Sequence, residues 1–192
     1  MINQWMMRSK IKNVTTADKA WEIVEFFQKP IPELEPLLAT KAYTALSYAY
    51  KILKARFPIG ENVIATKPNA ARWYAEIILK APWPEAEETI SQEPWSAYYY
   101  AKLVLHNRFY LGEYAIVTQP MSAYSYAKNV IKGTWHSGEP IIATNAYLAY
   151  QYAKNLVKGR WIEGEPAIKT HPFYQTEYEK FLQEINYVES MA

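Results

Sequence analysis

Tyr126-Ala127-Lys128-Asn129-Val130-Ile131-Lys132-Gly133 returns 26 residues later as Tyr152-Ala153-Lys154-Asn155-Leu156-Val157-Lys158-Gly159. The same Tyr-Ala pair stands at Tyr48-Ala49, Tyr74-Ala75 and Tyr100-Ala101, and Tyr178 continues the column with Glu179 in place of alanine. Each tyrosine is followed in register by an aromatic residue (Phe57, Trp83, Phe109, Trp135, Trp161). A glutamate comes next (Glu61, Glu87, Glu113, Glu139, Glu165, with Glu35 one period earlier), then an isoleucine (Ile64, Ile90, Ile116, Ile142, Ile168, with Leu38 before them). Five units in one register define a tandem repeat, which bears on fold class before any local propensity does.

The punctuation follows the same period. Pro68, Pro94, Pro120 and Pro172 share one column, Gly60, Gly112, Gly138 and Gly164 a second, and Gly133 and Gly159 a third. Proline suits a first helical turn and glycine suits the residue past a helix end. Each unit is therefore expected to hold one long and one short helix. The long helix is expected to run about 13 residues, as from Pro120 to Lys132, with Ala123, Tyr124, Ala127, Val130 and Ile131 three or four apart. Gly133 is then the expected left-handed C-cap. The short helix is expected to open at Gly138-Glu139-Pro140, where a carboxylate favours the positive helix end. The column Thr40, Thr66, Thr118, Thr144 and Thr170 precedes the next long helix, where hydroxyls can accept orphan amides. Alanines such as Ala45, Ala71, Ala97, Ala123 and Ala149 let helices approach closely, and the aromatic column fills the space between layers.

These patterns predict an all-α solenoid of 26-residue, two-helix repeats in a single domain. Residues 1–39 form an N-terminal arm and a degenerate capping repeat with Trp21, Phe26 and Phe27. Residues 40–171 form five tandem repeats, and residues 172–192 a more polar capping helix. The arm carries Trp5, Met6 and Met7, which need an apolar surface to pack on.

Composition narrows the functional classes. Half of the 192 residues are apolar, so a sizeable core is available. A net charge of +2 speaks against a surface built throughout to coat nucleic acid. There is no cysteine, which excludes disulfides and thiolate metal sites. No apolar run resembles a signal peptide or a membrane span, so a cytoplasmic protein without membrane contact is expected.

The stretch Tyr152-Ala-Lys-Asn-Leu-Val-Lys-Gly-Arg-Trp-Ile-Glu-Gly-Glu-Pro-Ala-Ile168 resembles a tandem repeat of bacteriophage and bacterial proteins, of the form Y-A-K-x-V-I-K-G-R-W-P-E-G-E-P-x-I. The resemblance covers roughly residues 40–172 and implies no activity of its own. It implies a phage or bacterial source, and as partner a host or self enzyme that is modulated or inhibited. Pro82 and Glu76 depart from it at the Arg and Lys columns.

Two surfaces are candidates for binding. The first is a basic ladder, comprising Lys54, Lys80, Lys102, Arg108, Lys128, Lys132, Lys154, Lys158 and Arg160. It could meet phosphates of nucleic acid or nucleotides, or an acidic protein. The plainer reading is a solvated face with cations at helix C-termini, and with arginines pairing to the following glutamates. The second is an apolar break in an otherwise polar face, made of Trp73, Ile77, Trp95, Tyr99 and Leu103, where other repeats carry Ser, Lys, Gln and Asn. This patch points to a protein partner, and the plainer reading is a second packing contact. The tyrosine columns could stack bases, but the column that never varies reads as interlayer packing with its hydroxyl on water or a carbonyl. His106, His136 and His171 fall at three phases of the repeat and form no ligand spacing. No nucleophile elbow, phosphate-cradling loop or paired-carboxylate cleft is present, so no catalysis and no cofactor are expected.

Overall fold

In the computed structural model residues 10–189 are described, with side chains to residue 185. The expected packing of Trp5, Met6 and Met7 lies outside the described residues. Among those residues every regular element is a helix. Contacts divide the chain into two compact units, one ending at Ile90 and one starting at Ser91.

The N-terminal unit opens with α1 (Ala17–Phe27), capped by Thr16, and α2 (Glu35–Leu38). Next come α3 (Ala42–Ser47), α4 (Pro58–Ile64), α5 (Pro68–Trp73) and α6 (Pro84–Ile90). The C-terminal unit holds α7 (Pro94–Tyr100), α8 (Tyr110–Ile116), α9 (Pro120–Tyr126), α10 (Glu139–Ile142), α11 (Ala146–Tyr152), α12 (Glu165–Lys169) and the final α13 (Pro172–Glu189). Inside each unit, long helices pack on their own short helices and on the next long helix. This is an all-α helical-repeat fold.

The long helices are not α-helical to their ends. α3, α5, α7, α9 and α11 each continue as a π-helix, over Tyr48–Leu53, Tyr74–Leu79, Ala101–Leu105, Ala127–Ile131 and Ala153–Val157. The turn is one residue wider than in an α-helix. Lys132 N donates to Ala127 O at 2.8 Å and Gly133 N donates to the same carbonyl at 3.3 Å. The left-handed residue consequently differs from the expected glycine. It is Lys132, at φ 61°, and in the other repeats Lys54, Lys80, His106 and Lys158, while no glycine has positive φ. A Cβ at Gly133 would meet nothing within 4 Å, so packing does not require that glycine.

The threonine column also acts differently from expectation. Thr66, Thr118, Thr144 and Thr170 donate Oγ1 to the carbonyl three residues earlier at 2.7 Å. They close the short helix behind them rather than cap the long helix ahead. The N-cap position is the next residue, where Glu93 and Asn145 accept from backbone amides.

The core repeats as the sequence does. Ala45, Ala71, Ala97, Ala123 and Ala149 are fully buried, as are Tyr48, Tyr74, Tyr100, Tyr126 and Tyr152. Each of these tyrosines packs on the aromatic residue nine positions later, with ring centroids 4.6–5.1 Å apart. The second glycine column makes this possible. A Cβ at Gly138 would lie 2.3 Å from Trp135 Cε3, and one at Gly60 would lie 2.4 Å from Phe57 Cδ1. Gly60, Gly112, Gly138 and Gly164 therefore give the rings their space, a role separate from helix initiation.

Candidate functional site

The glutamate column is the centre of a buried clasp. Tyr126 Oη accepts from Phe109 N at 2.9 Å and donates to Glu113 Oε1 at 2.8 Å. Arg108 closes on the same carboxylate with two bonds, at 2.8 and 2.9 Å. Tyr74, Phe57, Glu61 and Arg56 repeat the arrangement. Tyr152 bridges Trp135 N and Glu139, with His136 in the arginine's role. The hydroxyl thus binds an amide and a carboxylate, where a carbonyl or water had been expected. A buried amide without an acceptor is costly, so the phenol ties one repeat to the next.

Electrostatics follow this geometry. The Arg56 guanidinium, helped by Tyr74, holds Glu61 below the usual carboxylate range. Arg160 and then Lys169 do the same for Glu165. Burial, reinforced by Glu61, pushes Tyr74 up to about 12. Glu61 and Glu113 each accept three hydrogen bonds, and each is therefore occupied as a structural group.

This divides the basic ladder. Arg108 and Arg160 are bound to Glu113 and Glu165. Lys102, Lys128 and Lys154 lie over the rings of Tyr98, Tyr124 and Tyr150 at 5.5–5.7 Å. Lys54, Lys80, Lys132 and Lys158 are the exposed left-handed residues that end the long helices. In the C-terminal unit, residues 94–105, 120–131 and 146–157 carry Lys102, Lys128 and Lys154 and no carboxylate. On these three long helices the charge is therefore basic only, while Glu113, Glu139 and Glu165 lie on the short helices.

The residues of the apolar break fall in both units. In the N-terminal unit Trp73 is exposed, at 45 %, beneath the Arg72 guanidinium. Ile77 is half-buried and lines a cavity of about 500 Å³ with Tyr50, Lys51, Lys54 and Ile78. In the C-terminal unit Trp95 and Tyr99 are half-buried and stack, with centroids 5.9 Å apart, and Leu103 is 37 % exposed. The Asn positions of this column form a clasp of their own. Asn129 Nδ2 donates to Tyr98 Oη and Asn155 Nδ2 to Tyr124 Oη, each across 31 residues. At the same spacing before Ile77 stands Leu46, which has no hydroxyl to accept such a bond.

A more exposed apolar surface lies on α8 of the C-terminal unit. Tyr114 is 86 % exposed, Tyr110 71 % and Leu111 55 %. Leu111, Tyr114 and Ala115 line a groove of about 320 Å³ with the uncharged polar residues Ser91, Gln92 and Thr118. The column comparison contains the signal. The other repeats carry Asn62, Glu88, Pro140 and Pro166 at the Tyr114 position, and Ile59, Glu85, Ser137 and Glu163 at the Leu111 position. Among the described residues, no three His, Asp or Glu side chains gather as a metal site, and no helix is long and apolar enough to cross a membrane. No family model, curated protein or solved structure matches the chain.

Proposed function

We propose that this chain is a non-enzymatic helical-repeat scaffold that binds a protein partner, with α8 as the principal contact. One observation carries this reading: Tyr110, Leu111 and Tyr114 stand exposed beside a groove, at positions that are mostly polar or proline in the other repeats. Clustered large apolar groups on a surface mark interaction sites, and tyrosine is enriched among residues that dominate binding energy. The rim is uncharged and Glu113 is neutralised by Arg108. The occupant is accordingly an apolar, uncharged segment of a partner protein. Trp73 and Leu103 extend the same reading to the long helices. The sequence resemblance adds a bacterial host enzyme, held or inhibited in the cytoplasm, as the class of partner.

The test is affinity capture from bacterial lysate with nuclease and ~0.5 M salt, which screens surface charge. The wild-type chain and the Leu111→Ala/Tyr114→Ala variant are compared at matched thermal stability. A protein retained by the wild type and lost by the variant supports the reading. Equal retention by both, or no retained protein, overturns it.

A second reading, nucleic-acid binding along the ladder, draws on Lys102, Lys128, Lys132, Lys154 and Lys158, which lie on or just past long-helix segments that carry no carboxylate. It predicts affinity that falls steeply with salt. Arg108 and Arg160 do not contribute, because their guanidinium groups already hold carboxylates.

A further inference from the structure

We propose that the cleft between the π-helical ends of α7 and α9 binds a phosphate-type oxyanion, either free or as the terminal phosphate of a small ligand. A cavity of about 100 Å³ lies there, lined by Ala101, Lys102, His106, Asn129, Val130 and Lys132. The share of one liquid water is ~30 Å³, so a tetrahedral oxyanion has room.

The charge balance favours an anion. Among the described residues Lys102 and Lys132 form no ion pair, and residues 94–105 and 120–131 carry no acid. The opposing field comes from two helix C-termini, worth roughly −0.5 charge each. Two ammonium groups outweigh them by about one unit before His106 is counted. Of the lining carbonyls, Ala101 O already accepts from Asn107 N.

One donor is held in place by packing, Lys102. Tyr98 lies under Lys102, 5.7 Å from ring centre to Nζ, and its hydroxyl accepts from Asn129 at 2.9 Å. Asn129 Nδ2 also donates to Ser125 O, so it shapes the wall and leaves the ligand to Lys102, Lys132 and His106. His106 and Lys132 both sit on left-handed backbone, at φ 51° and 61°, which fixes where their side chains leave the helix ends.

The experiment is an NMR titration of the full chain with inorganic phosphate, pyrophosphate and a single-stranded oligonucleotide in separate arms. Saturable shifts centred on Lys102, His106 and Lys132 are expected with phosphate. Lys102→Gln and Lys132→Asn should each weaken binding at least tenfold, while Lys158→Asn, outside the cavity, should not. Equal affinity for phosphate and pyrophosphate assigns a free ion, and tighter pyrophosphate binding assigns a phosphorylated ligand. Shifts linear in concentration, shifts elsewhere on the chain, or binding of the oligonucleotide alone would overturn the proposal. The wild-type shift map decides the matter even if a variant fails to fold.

Discussion

Replacing Tyr126 with phenylalanine removes one oxygen and leaves the ring on Trp135, 4.9 Å away between centroids. The loss has two parts. The buried Phe109 amide, which donates to that oxygen at 2.9 Å, is orphaned, at about 1–3 kcal/mol. Glu113 loses a third hydrogen bond but keeps both from Arg108, so this part is nearer ~1 kcal/mol. Tyr126→Phe should therefore destabilise the C-terminal unit by about 2–4 kcal/mol. With a urea slope near ~3 kcal/mol/M, the midpoint falls by about 1 M. Tyr98→Phe is the control. Its hydroxyl receives a bond from the exposed Asn129, and about 1 kcal/mol or less is expected. Urea unfolding gives both values, and amide exchange at Phe109 reads the broken bond directly. A midpoint shift under ~0.3 M for Tyr126→Phe, or equal shifts for the two variants, would refute the clasp.

Three further outcomes are expected. Gly138→Ala places a Cβ 2.3 Å from Trp135 Cε3 and should cost about 1–3 kcal/mol by overpacking, measured as a lowered melting temperature. Lys158→Gly relieves left-handed backbone at φ 57°. The αL penalty of ~1–2 kcal/mol exceeds the added unfolded-state entropy of ~0.4–1 kcal/mol, so a gain of about 0.5–1 kcal/mol should appear in urea. The carboxyls of Glu61 and Glu165 are held below the ordinary value of 4.5. Their contribution is present above that value and is lost as pH falls through the lower folded-state value. Acid unfolding between pH ~5 and ~2 should therefore be less steep in the Glu61→Gln variant than in the wild type.

The repeat, its period and its two-helix unit were legible because each column answers to one packing requirement. Tyr48 through Tyr152, the alanines and the isoleucines recur because the same contact recurs. The pairing of Arg108 with Glu113 and Arg160 with Glu165 was legible from spacing too. Other features were not. The π-turn leaves no mark in a 3.6-residue pattern, and it moved the left-handed position from Gly133 to Lys132. Gly138 resembled a helix-start residue because the ring it accommodates lies three residues back, outside any capping rule. Thr118 precedes a helix and so resembles an N-cap, although its hydroxyl reaches the carbonyl of Ala115 behind it. The α8 surface is written in the columns of the short helix, where Tyr110, Leu111 and Tyr114 replace mostly polar residues and prolines.

The proposed docking of a protein partner on α8 is tested by hydrogen–deuterium exchange of the chain with and without its captured partner. Amides of residues 110–118 should gain protection on binding, with little change over residues 120–132 and 146–158. Protection confined to those long-helix segments would rule out α8 and move the working surface to the lysines.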